Sequence, residues 1–239
     1  DQFYCAHRNT NTFTDLSRTR ALFAEAGYAQ HVRRFEDLDF RNEDFGDQLV
    51  FYQSAQDRGL HYKGFIEDVL LGLQLQGAHL IPDFYKFRAH HNKVFQEILR
   101  DLSGSPRIQR LTSHRFGTVE AFDRVADQLR YPLVLKGAAG DSGRAVCLAN
   151  TPAEGRAAAR KVSRTFYPGD VYDNLLKPFK YPDWVPHSGN RGKFIAQEFV
   201  PGLTFDYRVQ VFAETYIAMR RETHPGTISA SGGKGARTF

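Results

Sequence analysis

Chemistry in this chain is most concentrated in Tyr131–Leu148, YPLVLKGAAGDSGRAVCL. A short apolar strand delivers Lys136 at its end, a loop with three glycines follows, and a second strand returns. Glycines let backbone N–H groups turn inward and approach an anion closely. A strand-end lysine adds a point charge beside them, and together they suit a di- or triphosphate. The alternative is a flexible hairpin with an incidental lysine. The motif is not a Walker A loop, since no Gly-Lys-Ser/Thr follows the glycines. Nor is it the dinucleotide fingerprint, since no helix opens there. Lysine is the rarer cation, 9 against 23 arginines, so a lysine on an apolar strand is less expected as surface filler. Lys93, in His90-His91-Asn92-Lys93 within an apolar-faced helix, is a second cation able to reach a phosphate; the alternative is a solvated helix face.

A second unit is Phe194–Val211, FIAQEFVPGLTFDYRVQV. Its strand ends at Val200-Pro201-Gly202, where proline removes a ladder donor and frees neighbouring backbone groups. Freed N–H and C=O groups beside Ile195 and Phe199 suit an adenine edge. Glu198, next to Gln197, is placed to accept a hydrogen bond from a nucleotide or to hold Lys136. Asp206 and Arg208 are two apart, so they share one strand face, as an ion pair or facing polar ligand groups. Arg220-Arg221 closes a strand before the flexible Ser229–Lys234. Arginine forks bind paired oxygens, which makes this a phosphate or carboxylate rim.

Other residue types offer less. His90-His91 point apart on a helix, and no HxxxH or CxxC occurs, so no metal site is assigned. Cys147 falls in a buried strand and reads as packing. Ser142 lacks the elbow motif of a serine nucleophile.

These residues must be positioned by ordered elements. Thr14 to Gly27 reads as a helix and Leu49–Tyr52 as a buried strand. Tyr62, Phe65, Ile66, Val69, Leu70 and Leu73 form one helical face stopped by Gly77. His79–Ile81 is a strand. Phe87, Val94, Phe95, Ile98, Leu99 and Leu102 make a further helical face. This alternation predicts an α/β layer with parallel strands, joined to the rest at Ser103–Arg107. Thr118 caps a helix; Pro132–Lys136 and Ala145–Ala149 are strands. Thr151-Pro152-Ala153-Glu154 opens another helix, with a capping threonine, an N1 proline and an N3 glutamate. Phe166–Gly192, rich in Tyr, Pro, Gly and Asp, reads as a long loop or lid. Strands at Lys193–Val200, Thr204–Ala213 and Thr215–Arg221 follow, the last two as a hairpin.

Composition bounds the class. With 41% hydrophobic and 25% charged residues over 239 positions, the chain is globular. A net charge of +5, with the arginines dispersed and no ribonucleoprotein motif, argues against nucleic acid. No apolar run reaches the length of a membrane span. Two cysteines point to a reducing compartment, hence the cytoplasm. The chain starts at Asp1, its one methionine is Met219, and it stops at Phe239 just after a glycine-rich stretch. We read it as trimmed at both ends.

Taken in order, the segments from roughly Ala78 to Lys234 resemble the ATP-grasp superfamily. The branch most similar is that of ribosomal-protein S6 glutamate ligase and glutathione synthetase. The resemblance implies an α/β pre-grasp domain over 1–102, followed by an α+β ATP-grasp domain lacking its C-terminal part. Residues 103–192 would be its first subdomain, with the glycine-rich loop, and 193–239 the incomplete start of the second. It implies phosphate contacts from Lys93 and Lys136, a loop including Gly140, Ser142 and Gly143 closing over the phosphates, and adenine held along Gln197, Glu198, Phe199 and Val200. Asp206 would lie near the ribose; Arg208 and Arg220 would serve catalysis on phosphate or substrate carboxylate. The implied cofactors are ATP and Mg²⁺, with the metal's ligands beyond Phe239. The expected Arg-Ser-Asn segment is replaced by Thr227-Ile228-Ser229. The implied reaction is ATP-dependent amide formation between a small-molecule or peptide carboxylate and an amine through an acyl phosphate. A small-molecule kinase and a catalytically inactive nucleotide-binding protein are the alternatives. Oligomeric state is not encoded in any feature identified above.

Overall fold

A computed structural model of the chain describes residues 16–52, 60–139, 146–165, 167–212 and 214–222. It divides into two compact units, Asp1–Arg88 and Ala89–Phe239.

In the first unit, α1 spans Leu16–Glu25 and is followed by Gly27 at φ +81°. Strand β1 (Leu49–Phe51) runs parallel to β2 (His79–Ile81), with Val50 opposite Leu80. Helix α2 (His61–Leu75) connects them and ends before Gly77, whose φ of +94° favours glycine. Its Ile66, Val69, Leu70 and Leu73 are buried with Phe45, Ala78 and Phe87. Phe65, counted on the same face, is exposed. So are Leu49 and Phe51, which makes β1 a half-exposed strand rather than a buried one. Only the middle residue of each three-residue strand turns toward the core. Lys63 is buried one turn before Glu67, which it contacts; Glu67 also takes Arg88, and the Lys63 ammonium lies 4.5 Å from the Phe87 ring centroid.

The helical face expected from Phe87 to Leu102 is two helices. Helix α3 (Phe84–Ala89) stops and α4 (Lys93–Leu102) begins anew. His91 takes a positive φ of 56°, and the Asn92 side chain accepts from Phe95 N, a helix N-cap. The break returns Lys93 to the start of a helix. Helix α4 belongs with the second unit, where Lys93 N–H donates to Ala138 O at 3.0 Å.

The second unit is built on a four-stranded sheet: β3 (Ser113–Phe116), β4 (Leu133–Gly137), β5 (Val146–Ala149) and β6 (Phe194–Glu198), in the order β3-β6-β4-β5. Every pairing is antiparallel. Strand β6 was expected to open a separate module, but it is an interior strand of this sheet. Alternation explains why. Phe194 and Ala196 are fully buried on one face with Phe116, Leu133, Leu135 and Ala149, while Ile195 and Gln197 take the other. The first face packs on α5 (Val119–Asp123) and α6 (Pro152–Ser163). Phe116 stacks on Phe194 at 5.2 Å and meets Phe122 edge-on at 5.2 Å.

Both predicted caps are present. Thr118 accepts from Ala121 N, and Thr151 from Glu154 N. Glu154 reaches back to Asn150 N at 2.8 Å, one residue before the cap. In α6, Gly155 lies under Tyr131: a Cβ there would sit 2.6 Å from the Tyr131 hydroxyl and 3.1 Å from Phe122 Cζ.

The segment Phe166–Gly192, expected as a loop, contains helix α7 (Pro168–Lys180). Pro168 stands in the first turn, where its missing N–H costs nothing, and Pro178 lies in the last. The Asn174 side chain bonds the His187 backbone twice, at 2.7 and 2.9 Å, which ties the helix to the chain beyond it. Strands β7 (Phe205–Phe212) and β8 (Thr215–Glu222) form the expected hairpin. Among the described residues, no helix is long and apolar enough to cross a membrane.

Candidate functional site

Sheet register decides which nominated residues can meet. On β4, Val134 and Lys136 share one face; on β6, Ile195 and Gln197 share it; on β3, Ser113 and Arg115 do. This is the face opposite the aromatic core. The Lys136 ammonium donates to Gln197 Oε1 at 2.6 Å. Glu198, expected to hold Lys136, projects instead from the other face, across from Leu133, and is exposed. The partner is therefore the neighbouring amide, because strand alternation turns residue 197, not 198, toward residue 136.

Helix α4 covers part of this face with its polar side. Glu97 is 8% exposed and the one buried residue of α4. It is 2.6 Å from Arg100 Nη2, and Asp101 pairs with Arg115 of β3. The apolar periodicity of Val94, Phe95, Ile98 and Leu99 had pointed to the opposite side. Glu97 and Arg100 are thus site residues the sequence reading missed. The available signal was spacing: 97 is four beyond Lys93, one turn along the same stripe.

Lys93 and Lys136 are brought together by one backbone bond, Lys93 N–H to Ala138 O, which pins the start of α4 to the end of β4. Burial holds the Lys136 ammonium below lysine's ordinary range; the Glu97 carboxylate opposes that and the Lys93 charge adds to it. The Lys93 charge is thus felt at Lys136, on the face that carries the buried Val134 and Ile195.

The remaining nominated residues fare differently. Gly140, Ser142 and Gly143 lie outside the described residues. The backbone donors expected to be freed near the end of β6 are engaged: Glu198 N–H donates to Thr112 O at 2.9 Å and Phe199 N–H to Pro132 O at 3.2 Å. The proline at 201 ends the strand too late to release them. Val200 is exposed. Asp206 spends both oxygens on Arg221, at 2.7 Å each, so its ion-pair partner is the arginine across the hairpin and not Arg208. Arg208 lies opposite Met219, on the face shared with Asp206. Arg220 lies opposite Tyr207, on the reverse face. Its guanidinium sits 4.2 Å from the Phe205 ring centroid. The hairpin therefore separates the two arginines nominated for catalysis. Among the described residues, no group of three His, Cys, Asp or Glu side chains could hold a metal ion.

No protein-family model and no curated protein sequence matches the chain. Among solved structures, it is similar to D-alanine-D-alanine ligase from Helicobacter pylori, with 13% identity and a TM-score of 0.39, over 66% of this chain and 40% of that one. It is also similar to the biotin carboxylase domain of the Hydrogenobacter thermophilus 2-oxoglutarate carboxylase, at 15% identity and a TM-score of 0.37, over 90% of this chain and 39% of that one. The biotin carboxylase subunit of pyruvate carboxylase matches at 13% identity and a TM-score of 0.28. The chain spans about two-fifths of the length of these proteins.

Proposed function

We propose that this chain carries the nucleotide-binding half of an ATP-dependent carboxylate–amine ligase of the ATP-grasp type. The observation that carries the reading is the Lys136–Gln197 bond between β4 and β6, with the start of α4 at Lys93 tied to Ala138 just past β4. Two cations and an apolar floor suit a polyphosphate tail joined to a flat, weakly polar base. The order of segments in the sequence supports the same reading.

In this reading Lys136 and Lys93 hold phosphate oxygens, and Val134 and Ile195 underlie the base. Gln197 keeps Lys136 from swinging away between turnovers. Phosphoryl transfer to a carboxylate yields an acyl phosphate and ADP; attack by an amine then expels phosphate and leaves an amide. The first step asks for positioning and charge neutralisation more than for proton transfer, which is what two lysines supply. The reaction, the substrates and the role of Mg²⁺ belong to the proposal, and no step is assigned to Arg208 or Arg220, since the hairpin holds them apart.

The test is calorimetry of the full chain with a non-hydrolysable ATP analogue. Binding is expected, weakened about 10- to 100-fold by Lys136→Ala, the cost of about 1.5–3 kcal/mol for a charge-assisted contact. A folded protein that binds no analogue, or binds it equally well without Lys136, overturns the reading.

A further inference from the structure

We propose that the cleft at the C-terminal end of α6 is an anion site separate from the Lys136 face, and that it takes the doubly charged phosphate group of a small phosphomonoester. Arg160, Lys161, Arg164, Thr165, Gly189 and Asn190 line an open cleft of about 600 Å³, within the size range of small-ligand sites. Helix α6 packs on the aromatic face of the sheet, whereas Lys136 stands on the other. The two walls of the cleft are held together by the fold itself. Thr165 N–H donates to Gly189 O and Gly192 N–H to Ser163 O, each at 2.8 Å. Val119 N–H donates to Asn190 O at 2.9 Å, which ties the same strip to the start of α5. Gly192 permits the close approach, since a Cβ there would sit 2.9 Å from Ser163 O.

Cations around the cleft are answered by carboxylates, but those of the cleft itself are answered poorly. Asp127 takes Arg156 at 2.5 Å, and Asp170 takes Arg191 at 2.6 Å. Asp123 is shared, at 3.8 Å from Arg156 and 3.4 Å from Arg160. Lys161 and Arg164 are exposed and have no carboxylate partner among the described residues. Neutral donors stand beside these charges. Thr165 Oγ1 accepts from Arg191 N–H at 3.2 Å, which leaves the hydroxyl hydrogen free to donate. The Asn190 side-chain amide makes no hydrogen bond among the described residues, so its N–H groups are available to a ligand in the cleft they line.

Basic residues in a last helical turn complement the free carbonyls there, which accounts for Arg160 and Lys161 taken singly. It does not account for the three cations together. Arg160 and Arg164 are four apart and Lys161 and Arg164 three apart, so like charges stand one turn from each other, which is unfavourable. Arg164 is the C-cap, where the backbone has left the helix with ψ at 122°. A dianion between these side chains removes the repulsion and engages the paired donors of arginine. A singly charged carboxylate neutralises less of it.

The test is a proton–nitrogen NMR titration of the full chain with glycerol 3-phosphate at about pH 7.5, where a phosphomonoester is mainly a dianion. The backbone amides of Thr165, Gly189, Asn190 and Arg191 are the reporters. Saturable shifts at these amides are expected; their absence, or an equal response to sodium chloride at matched ionic strength, overturns the proposal. Acetate is expected to bind at least about 10-fold more weakly, and equal affinity overturns the choice of a dianion. Lys161→Gln combined with Arg164→Gln weakens glycerol 3-phosphate at least about 10-fold; unchanged affinity overturns the proposal. If the double variant does not fold, Arg164→Gln alone, expected to cost at least about 3-fold, decides the same point. Lys136→Ala leaves the shifts at these amides as they are. Their loss in that variant places the anion on the sheet face instead and overturns a separate site. The outcome stands whether or not the chain binds nucleotide.

Discussion

Replacing Gln197 with leucine isolates a side-chain bond that joins β4 to β6. The Lys136 ammonium donates to the Gln197 amide oxygen at 2.6 Å, on a face where Val134 and Ile195 are buried. Leucine removes the acceptor and leaves a cation on an apolar surface. A hydrogen bond to a charged group contributes about 1.5–3 kcal/mol, so Gln197→Leu is expected to destabilise by about that much. Lys136→Met removes the donor and strands an amide, at about 1–2 kcal/mol. The double variant places leucine beside methionine on the same apolar floor. It should recover most of the loss, since replacing both partners of a partly buried polar pair with apolar groups is often near neutral. Urea unfolding of the four proteins gives the coupling directly, expected at about 2 kcal/mol. Additivity within about 0.5 kcal/mol would refute the reasoning, because groups in contact must couple. The functional prediction runs the other way. The double variant regains stability yet still binds an ATP analogue about 10- to 100-fold more weakly, so stability and binding part company at this pair.

Two further expectations test the scaffold. Gly155→Ala gains about 1 kcal/mol of helix propensity, but its Cβ would lie 2.6 Å from the Tyr131 hydroxyl; overpacking costs about 1–3 kcal/mol. Losing the Tyr131 bond to Ala126 O costs about 1 kcal/mol more. A net loss of about 1–3 kcal/mol in urea unfolding is expected from these opposing terms, and a stabilised variant contradicts the packing described. In the first unit, Glu67→Gln leaves the buried Lys63 without its counter-charge and should cost about 3–5 kcal/mol by circular dichroism in urea; a loss below about 1 kcal/mol would show that the triad does not act as a paired cluster.

Much of the scaffold was legible because its signals are local. Thr118, Thr151 with Pro152, and Gly77 each fix a helix end through contacts within a few residues. Strand pairs joined by a short connection, β4–β5 and β7–β8, were readable for the same reason. What failed depends on distant partners. Strand β6 reads as the start of a new module until Phe194 is seen against Phe116, 78 residues earlier. The helix face from Phe87 to Leu102 has unbroken apolar spacing, and only the left-handed backbone at His91 divides it. Helix α7 carries Val171, Tyr172, Leu175 and Phe179 in the open, Phe179 at 86% exposure, so no buried stripe marked it. Lys136 was placed near the end of its strand by the local pattern, and it lies there. Its partner was missed by one residue, and in a strand one residue is the whole difference between two faces.

The strand order has a consequence for the chain's synthesis. Of the four strands in the second sheet, β6 is the last to be made, yet it lies inside, bonded to β3 on one side and β4 on the other. Until Phe194–Glu198 leaves the ribosome, β4 and β5 can pair as a hairpin while β3 has no neighbour in this sheet. Both sides of the gap then present open ladders of N–H and C=O groups, the kind of edge that recruits foreign strands. Gln197 arrives 61 residues after Lys136. The lysine therefore waits through the intervening translation for its acceptor, and it gains that partner in the same event that seals the sheet.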